Sequence, residues 1–174
     1  MNADKITSMF ICGLVVAVSD NLLSYNHEVL YCSFCFMPAL DLYHNTVKKC
    51  LLNDGWIITH DPFHLKWGKK DMYVDLGAKR VLAAERGEQK IAVEVKSFVS
   101  DSEMQDLRDA IGQFTIYRSV LQRTYPEHTL YLAVRDITYE SLFEEPIGQL
   151  MIEDENLKLI VFDPNQEAIV KWIL

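Results

Sequence analysis

Residues 91–96 read Ile-Ala-Val-Glu-Val-Lys, an alternation with a period of two. Ile91, Val93 and Val95 fall on one side, and Ala92, Glu94 and Lys96 on the other. That period belongs to a β-strand, because successive side chains of a strand point to opposite faces. A second β-prone run, residues 80–85, precedes it across a turn containing Gly87, so 80–96 reads as a hairpin. The β-branched side is expected to bury itself. A Glu and a Lys two residues apart on the other side are costly to desolvate unless they are paired or wet. Asp75 stands just before the first run and is expected beside Glu94 across the hairpin. Two carboxylates converging with one ammonium suit a divalent metal and an activated water. Hard oxygen ligands hold Mg²⁺ while waters fill its remaining positions. The metal generates hydroxide and stabilises charge on phosphorus, and the lysine orients the water or steadies the developing anion. Asp75 and Glu94 are therefore candidate ligands of Mg²⁺ or Mn²⁺, with Lys96 beside them as a third catalytic residue. Asp71 competes for the place of Asp75 but lies farther from the hairpin.

Length and composition set the frame for that site. The 174 residues, 49% of them hydrophobic and 11% aromatic, suffice for one domain with a real core. A net charge of −8 argues against a protein that coats nucleic acid non-specifically. The charge is uneven, however. Residues 37–96 hold ten Lys and Arg against eight acids, whereas 97–174 hold six against fourteen. The half with the candidate site can therefore meet a phosphate backbone locally; a solvated surface without a partner fits the charges equally well. The cysteines, Cys12, Cys32, Cys35 and Cys50, match no secreted disulfide framework, so a reducing cytoplasm is expected.

Residues 1–36 differ in character from the rest of the chain. Their apolar run, 9–18, is too short to cross a bilayer as a helix. Its flanks do not make a convincing secretory signal, and no membrane association is expected. Cys32 and Cys35 form a CxxC that would suit zinc only with distant histidines such as His60 and His64, at longer than finger spacing. The segment is expected to be a poorly ordered extension, or translated sequence upstream of a true start at Met37.

From Met37 the pattern is regular. Leu40, Tyr43, Val47, Cys50 and Leu51 recur at helical spacing up to the turn at Asn53-Asp54-Gly55. Residues 56–60 predict a strand, 64–71 a loop, and 102–123 a long helix capped by Asp101 or Ser102. Next come a strand over 129–134, short helices over 137–143 and from Pro146, and closing strands over 157–162 and 168–173. This order predicts an α/β fold with a mixed central sheet flanked by helices. On the loop, Trp67 lies between Lys66 and Lys69. It can stack on a base or cover the edge of the core, and Lys69 and Lys70 are candidate DNA contacts.

The Asp75, Glu94 and Lys96 pattern resembles the PD-(D/E)xK nuclease superfamily, although Val74 stands where that pattern has Pro. The resemblance implies a restriction-endonuclease-like core, whose element order the chain shares. Gln113 and Tyr117, four apart on one face of the long helix, resemble the Gln-x-x-x-Tyr element of RecB-like members. That likeness implies that Gln113, a candidate catalytic residue, contacts the phosphate or supports the metal ligands, and that Tyr117 contacts DNA, although Tyr117 also fits the buried stripe of the helix. His44 stands on the first helix where such nucleases often carry Glu, a departure that argues against a second metal. Lys48, one turn further on, is a candidate phosphate contact.

Several stretches together resemble the XisH family, the fdxN-element excision controlling factors of cyanobacteria. They include Asp54-Gly-Trp-Ile-Ile-Thr-His-Asp-Pro62, Val74-Asp-Leu-Gly-Ala78, Ile91-Ala-Val-Glu-Val-Lys-Ser-Phe98, Glu145-Pro-Ile-Gly-Gln149 and Leu159-Ile-Val-Phe-Asp-Pro164. The resemblance spans residues 37–174. It implies a role in programmed excision of a DNA element, with a separate site-specific recombinase exchanging the strands and a small XisI-like protein as partner. An active Mg²⁺-dependent endonuclease is the alternative function.

Overall fold

The computed structural model describes residues 40–81 and 88–174, together with the backbone of two short strands before them, β1 (Met9–Ile11) and β2 (Leu14–Val16). Two compact units make up the chain, Met1–Phe36 and Met37–Leu174. In the first, β1 and β2 pair antiparallel. The CxxC at Cys32 and Cys35 and the expected disorder of the segment lie outside the described residues.

The second unit runs α1 (His44–Asn53), β3 (Ile57–His60), β4 (Phe63–Trp67), β5 (Lys70–Val74), β6 (Leu76–Val81), β7 (Glu88–Val95) and α2 (Glu103–Thr124). It continues with β8 (His128–Arg135), α3 (Asp136–Thr138), a π-helical turn (Tyr139–Phe143), α4 (Pro146–Asp154), β9 (Leu159–Asp163) and β10 (Ala168–Ile173). Six strands form one sheet in the order β10-β9-β8-β7-β6-β3. The β7–β8 and β8–β9 pairs are parallel and the others antiparallel, so the expected mixed sheet flanked by helices is what forms.

Strands in the middle of such a sheet are covered on both faces, which is why β8 and β9 are almost continuously apolar. On one face α2 packs Leu107, Ala110, Phe114 and Leu121 against Ala92, Leu130 and Leu132. On the other, α1 packs Val47, Cys50 and Leu51 near Ile91, Val93, Val95 and Trp56. The alternation in β7 therefore separates two interiors rather than an inside and an outside. Glu94 is carried under α2 with Ala92, and this placement defines the site.

Three sequence-based expectations need correction. The first strand of the central hairpin, read at 80–85, is β6 over 76–81, and its register with β7 differs accordingly. The predicted loop over 64–71 is a β-hairpin: β4 and β5 pair in register around a tight turn in which Gly68 takes a φ of +60°, a region glycine enters without strain. Lys66, Trp67 and Lys69 masked the alternation of Phe63 and Leu65. The first helix also starts later than its apolar stripe suggested, since Leu40 precedes α1 and is exposed.

The start of α2 obeys the expected chemistry. The Ser102 hydroxyl accepts from the backbone N–H of Gln105, and Glu103 and Asp106 occupy the positive first turn. Ser102→Ala is expected to cost about 1 kcal/mol in urea unfolding, the usual scale of a lost N-cap.

Candidate functional site

The β6–β7 ladder ends at the pair Leu76↔Val93. One step beyond, the antiparallel register sets Asp75, which sits between β5 and β6, opposite Glu94 near the end of β7. Lys96 comes directly after β7 on the same side as Glu94, its backbone N–H bonded to the Ala133 carbonyl. From α2, Gln113 and Tyr117 reach the same place, with Gln113 Nε2 donating to the Tyr117 hydroxyl at 2.9 Å. Asp75, Glu94, Lys96, Gln113 and Tyr117 thus line one cavity of about 370 Å³. Asp71, Met72 and Tyr73 of β5 form another part of its wall, and Asp41, from the segment before α1, joins them.

Burial dominates the electrostatics. Glu94 is only 5% exposed, and its Oε2 has no hydrogen-bond partner. Burial, and then the neighbouring Asp75 carboxylate, push Glu94 well above the usual carboxylate range, against a backbone hydrogen bond from Asp75 and the charge of Lys96. Asp75 is raised too, first by burial, although its Oδ2 accepts from the Val95 N–H at 2.8 Å. Burial and Glu94 likewise raise the Tyr117 phenol. The cavity thus holds two neighbouring acids whose ionisation burial and mutual repulsion both oppose. A cation between them would relieve both costs.

A second layer supports Asp75. His44, 2% exposed, donates from Nε2 to Asp61 Oδ1 at 2.8 Å and holds Nδ1 3.5 Å from Asp75 Oδ1. Lys48 Nζ pairs with the other Asp61 oxygen at 2.6 Å. Despite the cost of burial, Lys48 and His44 hold Asp61 below its ordinary range. The structure therefore places Lys48, expected to meet phosphate, behind Asp75 as the partner of Asp61. Lys69 and Lys70 lie at the turn of the β4–β5 hairpin and are exposed. Asp71, the competing acid, also reaches the cavity but accepts from His64 Nε2 at 2.8 Å.

Asp41 and Asp61 carry no mark of the site in the sequence, and the role of His44, singled out there only as a departure from the nuclease pattern, is not readable from it. Asp41 stands ahead of the helix, and its two oxygens accept from the N–H groups of Tyr43 and Ser97. Asp61 looks like a strand breaker beside Pro62, and His44 like a surface residue; their contact spans 17 positions, and no local pattern announces it.

Among the described residues no three His, Cys, Asp or Glu side chains form a metal cage. The donor set is two facing carboxylates, one with an unpartnered oxygen. That matches Mg²⁺, which binds through one or two carboxylates and keeps waters or substrate phosphate oxygens in its other positions. Among the described residues no helix is long and apolar enough to cross a membrane.

Fold and site define a class: a mixed α/β protein whose six-stranded sheet holds a buried and a half-buried acid, a lysine and a Gln–Tyr pair around one cavity. Residues 37–170 match the family described as XisH protein. The chain belongs to the XisH family. A crystal structure of an XisH family protein from Nostoc punctiforme is 39% identical, covering 77% of this chain and all of that one, with a TM-score of 0.70. A crystal structure of an fdxN element excision controlling factor protein from Anabaena variabilis is 38% identical, covering 78% and 100%, also at 0.70. No curated protein matches the chain.

Proposed function

We propose that this protein controls excision of a DNA element, and that the cavity around Asp75 and Glu94 is where it handles a phosphodiester of that DNA. The similarity to the Anabaena excision controlling factor supports the first half. The second rests on one observation: residues 75, 94, 96, 113 and 117, drawn from three elements, line one cavity with acids at its base and a lysine beside them. A bound Mg²⁺ or Mn²⁺ would supply an activated water and neutralise charge on a phosphate oxygen. Asp75 and Glu94 would hold it. Lys96 carries a positive charge to the same point, where it can orient a water or steady the oxyanion of a five-coordinate phosphorus. Gln113 fixes the Tyr117 hydroxyl, and both offer donors to a non-bridging phosphate oxygen. Hydrolysis adds one water across a P–O bond, and these groups suffice to place both partners.

A second reading keeps the site for binding without turnover. The net charge of −8 and the commitment of Lys48 to Asp61 favour it, because both limit the grip on a duplex. In either reading the partners are the DNA element, a small XisI-like protein and, indirectly, a site-specific recombinase. The acidic stretch at Glu144, Glu145, Glu153, Asp154 and Glu155 is the proposed surface for the protein partner. The test is incubation of element-bearing DNA with the protein and its partner, with Mg²⁺, with Mn²⁺ and with chelator. Metal-dependent cleavage lost in Glu94→Gln supports hydrolysis. Metal-dependent binding without cleavage supports the second reading. Absence of both, with the partner present, sinks the proposal.

A further inference from the structure

The β4–β5 hairpin stands apart from the six-stranded sheet as its own two-stranded ribbon. Its register sorts the side chains. Phe63↔Val74 and Leu65↔Met72 face inward, and His64↔Tyr73 and Lys66↔Asp71 face outward. Burial agrees with that division, with Phe63, Leu65 and Val74 in the core. At the tip the inward row outruns the core. Trp67, paired with Lys70, is 52% exposed, whereas the chain's other two tryptophans, Trp56 and Trp172, lie against each other at 5.6 Å. An indole held half in water on a tight turn forgoes much of the burial energy its ring would contribute elsewhere.

Its surroundings indicate what covers it. Lys66, Lys69 and Lys70 crowd the same tip, and among the described residues none of the three is in an ion pair. The outer face adds a stacked pair of rings, His64 on Tyr73, with centroids 5.0 Å apart. Asp71, Met72 and Tyr73 of the ribbon form part of the wall of the Asp75–Glu94 cavity. Lys70 directly precedes Asp71 of that wall, so the tip stands at the rim of the cavity.

The geometry points to this ribbon as a grip for a DNA strand with unpaired bases: Trp67 stacks on a base while Lys66, Lys69 and Lys70 hold the flanking phosphates and lead the backbone into the cavity. The inference rests on the proposal that the cavity handles DNA and narrows it to single-stranded, forked or melted DNA. In an intact duplex the flat faces of the bases are covered by their neighbours, and three lysines on an acidic protein hold a duplex weakly. An exposed ring needs an exposed base.

The full-length protein is titrated against three labelled probes of one sequence, a single strand, a fork and a blunt duplex, by anisotropy and by tryptophan emission. The fork and the single strand are expected to bind more tightly than the duplex and to quench emission. Trp67→Ala is expected to lose roughly tenfold in affinity for both, the scale of one lost stacking contact. It should also lose most of the quenching, and Trp67→Phe should recover part of the affinity. Replacing Lys66, Lys69 and Lys70 with Ala should lower the slope of log affinity against log salt by about 2, at roughly 0.7 for each single-strand phosphate contact. Circular dichroism checks that the variants fold. Equal affinity for all three probes, or full affinity and quenching in Trp67→Ala, overturns the inference. The two readings fail separately. Metal-dependent cleavage unaltered by Trp67→Ala removes the ribbon's role and leaves the cavity's. Stacking lost in Trp67→Ala, with no cleavage in any metal, removes hydrolysis and leaves the grip.

Discussion

Glu94→Gln is expected to abolish metal-dependent cleavage and at the same time to stabilise the metal-free protein. The two effects have one cause. Glu94 is buried opposite Asp75, and both the loss of water and the neighbouring carboxylate oppose its ionisation. A carboxyl whose pKa is raised on folding contributes stability below its unfolded value, and that contribution is lost as pH rises through the folded value. In chelator the wild type should therefore lose stability as pH rises above about 4.5, the ordinary value for Glu. Asp61, whose pKa is lowered, has its window on the acid side of 3.8 and does not overlap this one. Gln keeps the shape and removes the charge, so the variant's stability should be flatter over that range and higher at neutral pH. Cleavage should fall by at least about a hundredfold, the scale of removing one group that stabilises a developing oxyanion. Urea unfolding across pH and a cleavage assay read the two halves. A variant less stable than wild type at neutral pH would mean that Glu94 is a structural acid with partners of its own.

His44→Ala is expected to cost about 3 kcal/mol of folding stability, a loss on the scale of breaking a buried charged hydrogen bond and leaving a cavity. His44 is buried, its Nε2 bonds to Asp61, and its Nδ1 lies against Asp75. Removing the ring separates Asp61 and Lys48 from the buried acid they support. Asp75 keeps its bond from the Val95 N–H but loses the ring packed 3.5 Å from its other oxygen, so metal affinity should fall roughly 10- to 100-fold, as when a ligand's supporting contact is removed. Urea denaturation and calorimetric titration with Mn²⁺ measure the two losses. A change below about 0.5 kcal/mol, the range of an ordinary surface substitution, would show that the network does not support the site.

Whatever depends on neighbours in the chain could be read from the sequence. Period two placed β7, but the run read at 80–85 is offset from β6 at 76–81, whose antiparallel register is what sets Asp75 beside Glu94. Helical spacing put Gln113 beside Tyr117, and the capping chemistry of Ser102 fixed the start of α2. Packing between distant elements stayed hidden. That Glu94 lies under α2 is a consequence of β8 pairing parallel with β7, which alternation alone does not reveal. The Asp41 bond to Ser97 spans 56 positions, and nothing near either residue signals it. The Lys48 pairing with Asp61 spans 13 positions, and no local pattern announces it. The β4–β5 ribbon was hidden because its outward and tip positions are polar or basic.

Crystals grown with Mn²⁺ and measured at an anomalous wavelength would show whether one ion can lie between the Asp75 and Glu94 carboxylates. A single peak about 2 Å from an oxygen of each acid, with Lys96 beside it, is the expected result. No peak at saturating Mn²⁺, or a peak elsewhere with the two acids turned apart, would contradict a metal-assisted phosphodiester site.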